Sequence, residues 1–326
     1  MKHFFTLCAV CALSLSIQAT DGALPGRFTV SSKGDQIVFS QGNLQYQPSH
    51  DIWRFAENQR DTMGSANVGA DVSTRSWIDL FGWGTSGYND HVPYLQSTLS
   101  ADYDTNGDLN NTEYDWGYHN AILNGGDQKA LWRTITLAEL RYIFKNRDRA
   151  DSLVFIGNID GQCGLFLLPD DWNYKAGYQH TLLTQFGTWD GNRFNVSTND
   201  IYNHNTLTTA QWEEMESRGA VFLPTAGIRV TEDRRVDPNS FKYWVSDYFS
   251  QYMGYVFSIS YNQLCISCAQ TNINGLSVRL VQEAPAIGEG IEKTAVTVKG
   301  NKFIRDGQLF IETNGKIYTA QGIEVK

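Results

Sequence analysis

Ala220-Val221-Phe222-Leu223-Pro224-Thr225-Ala226-Gly227, Tyr243-Trp244-Val245-Ser246-Asp247 and Leu276-Ser277-Val278-Arg279-Leu280-Val281 close the main part of this 326-residue chain and decide its fold class. Each run is short, apolar and set off by polar loops, which is how strands read. Tyr255-Val256-Phe257-Ser258-Ile259-Ser260-Tyr261 adds a fourth, with large apolar residues at alternate positions. The convincing helix starts lie upstream of these runs. Helices first and a succession of strands afterwards favour an α+β fold over a parallel, doubly wound sheet.

Two capping boxes mark those helices. Thr136 stands three residues before Glu139, with Ile135 placed to staple onto Leu140 and with Leu137, Leu140 and Phe144 on one face. Thr208 and Gln211 repeat the device, Trp212 and Met215 form the apolar stripe, and Gly219 supplies a left-handed stop. Residues 26–120 differ. They are rich in Gly, Asn, Asp and Trp, and apart from strand-like starts at 27–30 and 36–40 their turns outnumber regular elements.

Three parts follow from composition. Residues 1–19 read as a signal peptide, because Lys2 gives a positive start and the apolar run to Ile17 is too short to span a bilayer. Residues 20–283 form the major domain, and residues 284–326 a small β-meander. In that tail Asp306-Gly307 and Asn314-Gly315 are hairpin turns, since both positions must tolerate positive φ. No segment after the leader is long and apolar enough to cross a membrane.

Loss of Lys2 with the leader takes the formal net charge from −9 to −10. This disfavours nucleic acid, whose binding needs Lys and Arg against phosphates. An aromatic fraction of 13% supports a sizeable core rather than disorder. Cys163, Cys265 and Cys268 remain after cleavage, an odd number for an exported chain. Cys265-Ile266-Ser267-Cys268 has the spacing of a zinc or redox pair, but zinc needs two more ligands and a redox motif would open a helix. A structural use of the pair is the plainer reading.

Phe39-Ser40-Gln41-Gly42-Asn43-Leu44-Gln45-Tyr46, Trp53-Arg54-Phe55-Ala56-Glu57-Asn58-Gln59, Trp77-Ile78-Asp79-Leu80-Phe81-Gly82-Trp83-Gly84-Thr85-Ser86-Gly87 and Leu167-Leu168-Pro169-Asp170-Asp171-Trp172 are blocks of a second kind. With the closing strands, they resemble a secreted Bacteroidetes family similar to the Fibrobacter succinogenes major paralogous domain group. The resemblance implies a C-type-lectin-like fold in the formylglycine-generating-enzyme-like superfamily. It implies export to the periplasm or outer surface of a Gram-negative cell. The wider fold serves lectins, adhesins and oxidases alike, so it does not choose an activity.

Candidate site residues come from local patterns. Asp102, Asp104, Asn106, the carbonyl of Asp108 and Glu113 match a calcium loop, with Gly107 at the turn and Leu109 at the apolar position. A solvated polar loop is the alternative, because no strong helix is announced after it. Calcium is the cofactor that this loop suggests. Asp237-Pro238-Asn239 followed by Trp244 and Asp247 is a departed form of the calcium-lectin sugar motif. Trp83 and Trp189, both in turn-like settings, are the tryptophans expected to be exposed for stacking on a sugar ring.

The search for catalytic groups is negative: there is no nucleophile elbow, no phosphate loop and no histidine set at metal-ligand spacing. The expected function is an exported, cell-surface binding module for a glycan or a surface protein, without catalysis. A structural envelope protein is one alternative, and a copper oxidase using Cys265 and Cys268 another.

Overall fold

The computed structural model describes residues 22–173, 180–185, 187–196, 201–260 and 263–285, and the backbone of 301–305, 308–313, 316–319 and 324–325. The expected leader and the two glycine turns of the tail lie outside the described residues. Contacts divide the chain into two units, Met1–Glu283 and Ala284–Lys326.

Three α-helices occur among the described residues: α1 (Trp116–His119), α2 (Leu137–Arg141) and α3 (Thr209–Ser217). Both expected capping boxes form. Thr136 accepts from the Glu139 N–H while Glu139 accepts from the Thr136 N–H, and Thr208 and Gln211 do the same for α3. Gly219 ends α3 at φ 89°, where a side chain would be strained. The sequence did not announce α1, which Asp115 starts by accepting from the Gly117 N–H.

The sheets of the first unit are mostly antiparallel. The closing strand Leu280–Glu283 lies between Gln36–Phe39 and Arg133–Thr134, with Phe28–Thr29 at the far edge. A second sheet runs Thr206–Leu207, Val154–Ile159, Gln162–Leu167, Val221–Pro224, with one parallel pair at its start. A third places Phe241–Ser250 at one edge, followed by Met253–Ser260, Gln263–Thr271, Arg193–Val196 and Gly187–Asp190. The molecule is thus a mixed α+β protein with few, short helices. Phe28, Phe39, Ile143, Ile156, Leu165, Val221, Tyr243, Phe257 and Val281 meet in one core to which α2 and these three sheets contribute. Each large apolar side chain buried there contributes about 1.5–3 kcal/mol.

Cys265 and Cys268 form a disulfide inside the strand Gln263–Thr271. A regular strand sends residues three apart to opposite faces. Here Ser258 pairs with Cys265 and Val256 with Cys268, so Phe257 alone stands opposite Ile266 and Ser267, and the extra residue makes a β-bulge. The bulge reverses the alternation and lets the sulfurs meet. In this form neither sulfur is a thiolate.

Buried arginines join parts that no ladder joins. Arg279, 3% exposed, donates to the Ser40 carbonyl, to Asn43 Oδ1 and to the Phe222 carbonyl. Gln59 beside it donates to the Ala220 carbonyl and accepts from the Phe222 N–H. Residues 40–59 are thereby fixed to the strand Val221–Pro224. In the second unit, Asn301–Arg305, Gln308–Thr313, Lys316–Thr319 and Glu324–Val325 form an antiparallel sheet in chain order. Arg305 pairs with Gln308 and Thr313 with Lys316, so each of the first two connections is two residues long.

Candidate functional site

Trp83 and Trp244, both expected at a ligand surface, are buried to 1% exposure. The exposure expected of Trp83 is therefore corrected. Its indole N–H donates to Thr105 Oγ1, its ring meets that of Trp244 edge-on at 5.2 Å, and Gly254 lies so close that a Cβ there would stand 2.3 Å from the ring. The glycines around it were misleading because they admit the indole to the core instead of exposing it. Trp244 donates to the Phe81 carbonyl at 2.7 Å. Trp189 is half-buried, with Lys145 Nζ 5.3 Å above its ring.

The remaining members of the sugar-type motif each take a different local partner. Asp237 accepts from the Asn239 N–H and from Ser240 Oγ, which makes a turn that leaves Asn239 exposed. Asp247 accepts from the Leu137 N–H at 2.6 Å and so caps the first turn of α2. Burial raises its pKa, a cost that the hydrogen bond offsets in part.

The calcium-type loop is used as an edge cover. Leu109 is fully buried and its N–H donates to the Ser246 carbonyl, while Asp108 accepts from the Tyr248 N–H at 2.7 Å. Asp104 accepts from the Asn106 N–H and the Tyr248 hydroxyl, and Asn106 turns the chain at φ 56°. The loop thus occupies polar groups on the edge strand Phe241–Ser250, which would otherwise invite pairing with another chain. Asp102 is exposed and Glu113 reaches instead to His119 Nδ1 at 2.6 Å. Among the described residues no three His, Cys, Asp or Glu side chains are gathered as a metal's ligands would be.

One surface that sequence reasoning missed combines exposed aromatic area with polar groups. Tyr88, 40% exposed, meets the rings of Tyr114 at 5.1 Å and His119 at 5.7 Å, both edge-on. His91 lies 4.8 Å from Tyr114 on the buried side, where desolvation lowers its pKa. Asn89 donates to the Tyr114 hydroxyl at 3.2 Å, and the Glu113–His119 pair closes the rim. Asn89 and Asp90 hold φ of 50° and 65°, so two consecutive side-chain-bearing residues sit in the left-handed region. Such conformations cost about 1–3 kcal/mol each and persist only where their surroundings over-determine them. The signal was Gly87-Tyr88-Asn89-Asp90, an aromatic among residues that tolerate that region. Its partner Tyr114 is too far along the chain for spacing to reveal.

A cleft of about 370 Å³ lies at the start of α3 between Arg60, Asp61, Gln162, Thr209, Glu213 and Glu216. Arg60 is already committed to Gln162 Oε1, Thr209 Oγ1 and the Ile159 carbonyl. Trp212 backs the cleft but is only 2% exposed, so it offers no stacking face. Comparison with family models, with curated proteins and with solved structures finds no match to this chain. Among the described residues no helix is long and apolar enough to cross a membrane.

Proposed function

We propose that this protein is an exported, cell-surface binding module with a C-type-lectin-like major domain, and that its non-catalytic site is the Tyr88 surface, which takes a glycan. The observation that carries the reading is an exposed tyrosine ring locked edge-on by Tyr114 and His119 and rimmed by Asn89 and Glu113. A rigid ring offers apolar area at little entropic cost, and amide, carboxylate and imidazole groups around it suit the donors and acceptors of sugar hydroxyls. The C-type-lectin-like assignment rests on the resemblance of the sequence blocks, and the mixed α+β arrangement accords with it. Export rests on residues 1–19. A surface-protein partner is the second reading. It draws on Phe249 and Tyr252, 50% and 55% exposed, beside the turn between Phe241–Ser250 and Met253–Ser260.

The test is a glycan array probed with the mature chain and with Tyr88→Ala. Binding is expected to weaken about tenfold in the variant, with unfolding free energy changed by less than about 0.5 kcal/mol. Glycan binding that Tyr88→Ala leaves intact, or no glycan binding at all, overturns the site and turns attention to Phe249 and Tyr252.

A further inference from the structure

The chain carries 35 acidic against 26 basic residues, yet Lys145, Arg147 and Arg149 fall within five positions. The fold concentrates them. After α2 the backbone widens into a π-helical turn, Tyr142–Asn146, closed by the Arg147 N–H on the Tyr142 carbonyl at 3.0 Å. Turns of this kind recur at functional positions. Three residues on, Arg149 takes φ 56°, a left-handed conformation uncommon for a residue with a side chain. Together these two irregularities bring the three cations to the wall of one cleft of about 290 Å³, which Ser152 and Leu182 complete.

The donors of these side chains are spent largely on backbone carbonyls. Lys145 Nζ donates to the Gly191 carbonyl at 2.6 Å, and Arg149 donates to the carbonyls of Trp172 and Asp170. Arg147 donates to those of Ile143, Leu168 and Leu153. A carbonyl fixes a cation in place without cancelling its charge. Three carboxylates stand nearby. Asp170 is 3.2 Å from Arg147 and is itself held by Thr29 and Gln36. Asp148 approaches Arg149 only to 3.9 Å and its side chain is 98% exposed, and Asp151 lines the cleft from an exposed position. The lining residues keep an excess of positive charge. Arg147 also walls an adjoining cleft of about 320 Å³, lined by the hydroxyl-bearing Thr29, Ser31, Ser32 and Tyr142 and by the carboxylates of Asp148 and Asp170.

We infer that the cleft between Lys145, Arg147, Arg149 and Ser152 is an anion-binding site for a carboxylate, sulfate or phosphate group. The group belongs either to a free inorganic anion or to an acidic polysaccharide whose sugar ring extends along the hydroxyl-lined neighbour. This site is independent of the Tyr88 surface.

The test uses the mature chain with inorganic sulfate and phosphate at matched ionic strength, and with polygalacturonate and dextran sulfate against neutral dextran. Thermal unfolding reads the first arm and direct binding the second. Arg149→Gly is the main variant, because glycine suits φ 56° and the fold is retained; Lys145→Gln is the second. Each is expected to weaken binding about fivefold, the scale of one partly exposed charge pair. A sulfate- or phosphate-dependent rise in Tm that falls in both variants, without polysaccharide binding, assigns a free anion. Polysaccharide binding that falls in both variants, with neutral dextran inert, assigns an acidic glycan. No response in either arm overturns the site, as does a response equal in wild type and in the double variant.

Discussion

Residues 22–130 and 131–283 belong to one unit but are held together by different means. In the later region, ladders satisfy the backbone: the pairs in the Val154–Leu167 hairpin and in the strands from Phe241 to Thr271 leave few carbonyls to find partners elsewhere. In the earlier region, side chains take over the ladder's task. Asp79, fully buried, accepts from the Met63 N–H and from Asn67, whose own amide oxygen accepts from the N–H groups of Asp79 and Leu80. Asp115 accepts from the Gly117 and Thr134 N–H groups, and Asn124 both accepts from and donates to the backbone of Phe55. A loop-built region can be as fixed as a sheet, but it needs buried polar side chains, and their solvation energy is the cost.

That contrast predicts a hierarchy of mutational effects. Arg279→Met removes the donor shared by Ser40, Asn43 and Phe222 across the seam, leaving three buried acceptors unpaired. The expected loss is about 3–4 kcal/mol, seen as a fall in the urea midpoint. A loss under about 1 kcal/mol would show that the seam does not depend on this arginine.

Asp79 and Asp115 give a pH signature. Burial raises each to about 6 from an ordinary 3.8, against the lowering pull of their hydrogen bonds. A carboxyl with a raised folded pKa contributes stability that is complete below about pH 4 and lost as pH rises through about 6. Asp115→Asn replaces an acceptor of the Gly117 or Thr134 N–H with a donor. It is expected to cost about 2 kcal/mol at pH 5 and to flatten the fall in stability between pH 4 and 6 relative to wild type. Urea unfolding of both proteins across that range measures it, and parallel curves would contradict it. The comparison is needed because Glu139, lowered by Arg133 against its burial, pulls the wild-type profile the opposite way.

The smallest expected effect lies in the sheets. Ile156→Val removes one methylene from a fully buried position and should cost about 1 kcal/mol by thermal unfolding. A cost equal to that of Arg279→Met would erase the distinction between the two regions.

The comparison also explains which features were legible. Thr136-x-x-Glu139, Thr208-x-x-Gln211 and Gly219 are local devices whose partners lie within a turn, and each is found where its spacing placed it. The strands read from alternation or apolar runs, such as Val221–Pro224 and Met253–Ser260, are present too. Trp83 was misplaced because its neighbours, Thr105, Trp244 and Gly254, are distant in sequence. The Asp102–Glu113 pattern has calcium spacing, yet its side chains turn to Tyr248 and His119, partners no spacing reveals. Tyr88 meets Tyr114 for the same reason.

By itself the sequence determined the α+β class of the fold, the starts of α2 and α3, the stop at Gly219 and several of the strand runs, because those follow from periodicity, capping and turn chemistry within a few residues. Only the tertiary structure decided which tryptophans are core, that Asp102–Glu113 covers a sheet edge, and that Tyr88 and the Lys145–Arg149 cleft face solvent. Burial and the pairing of polar groups are properties of surfaces brought together from far along the chain, and no local pattern encodes them.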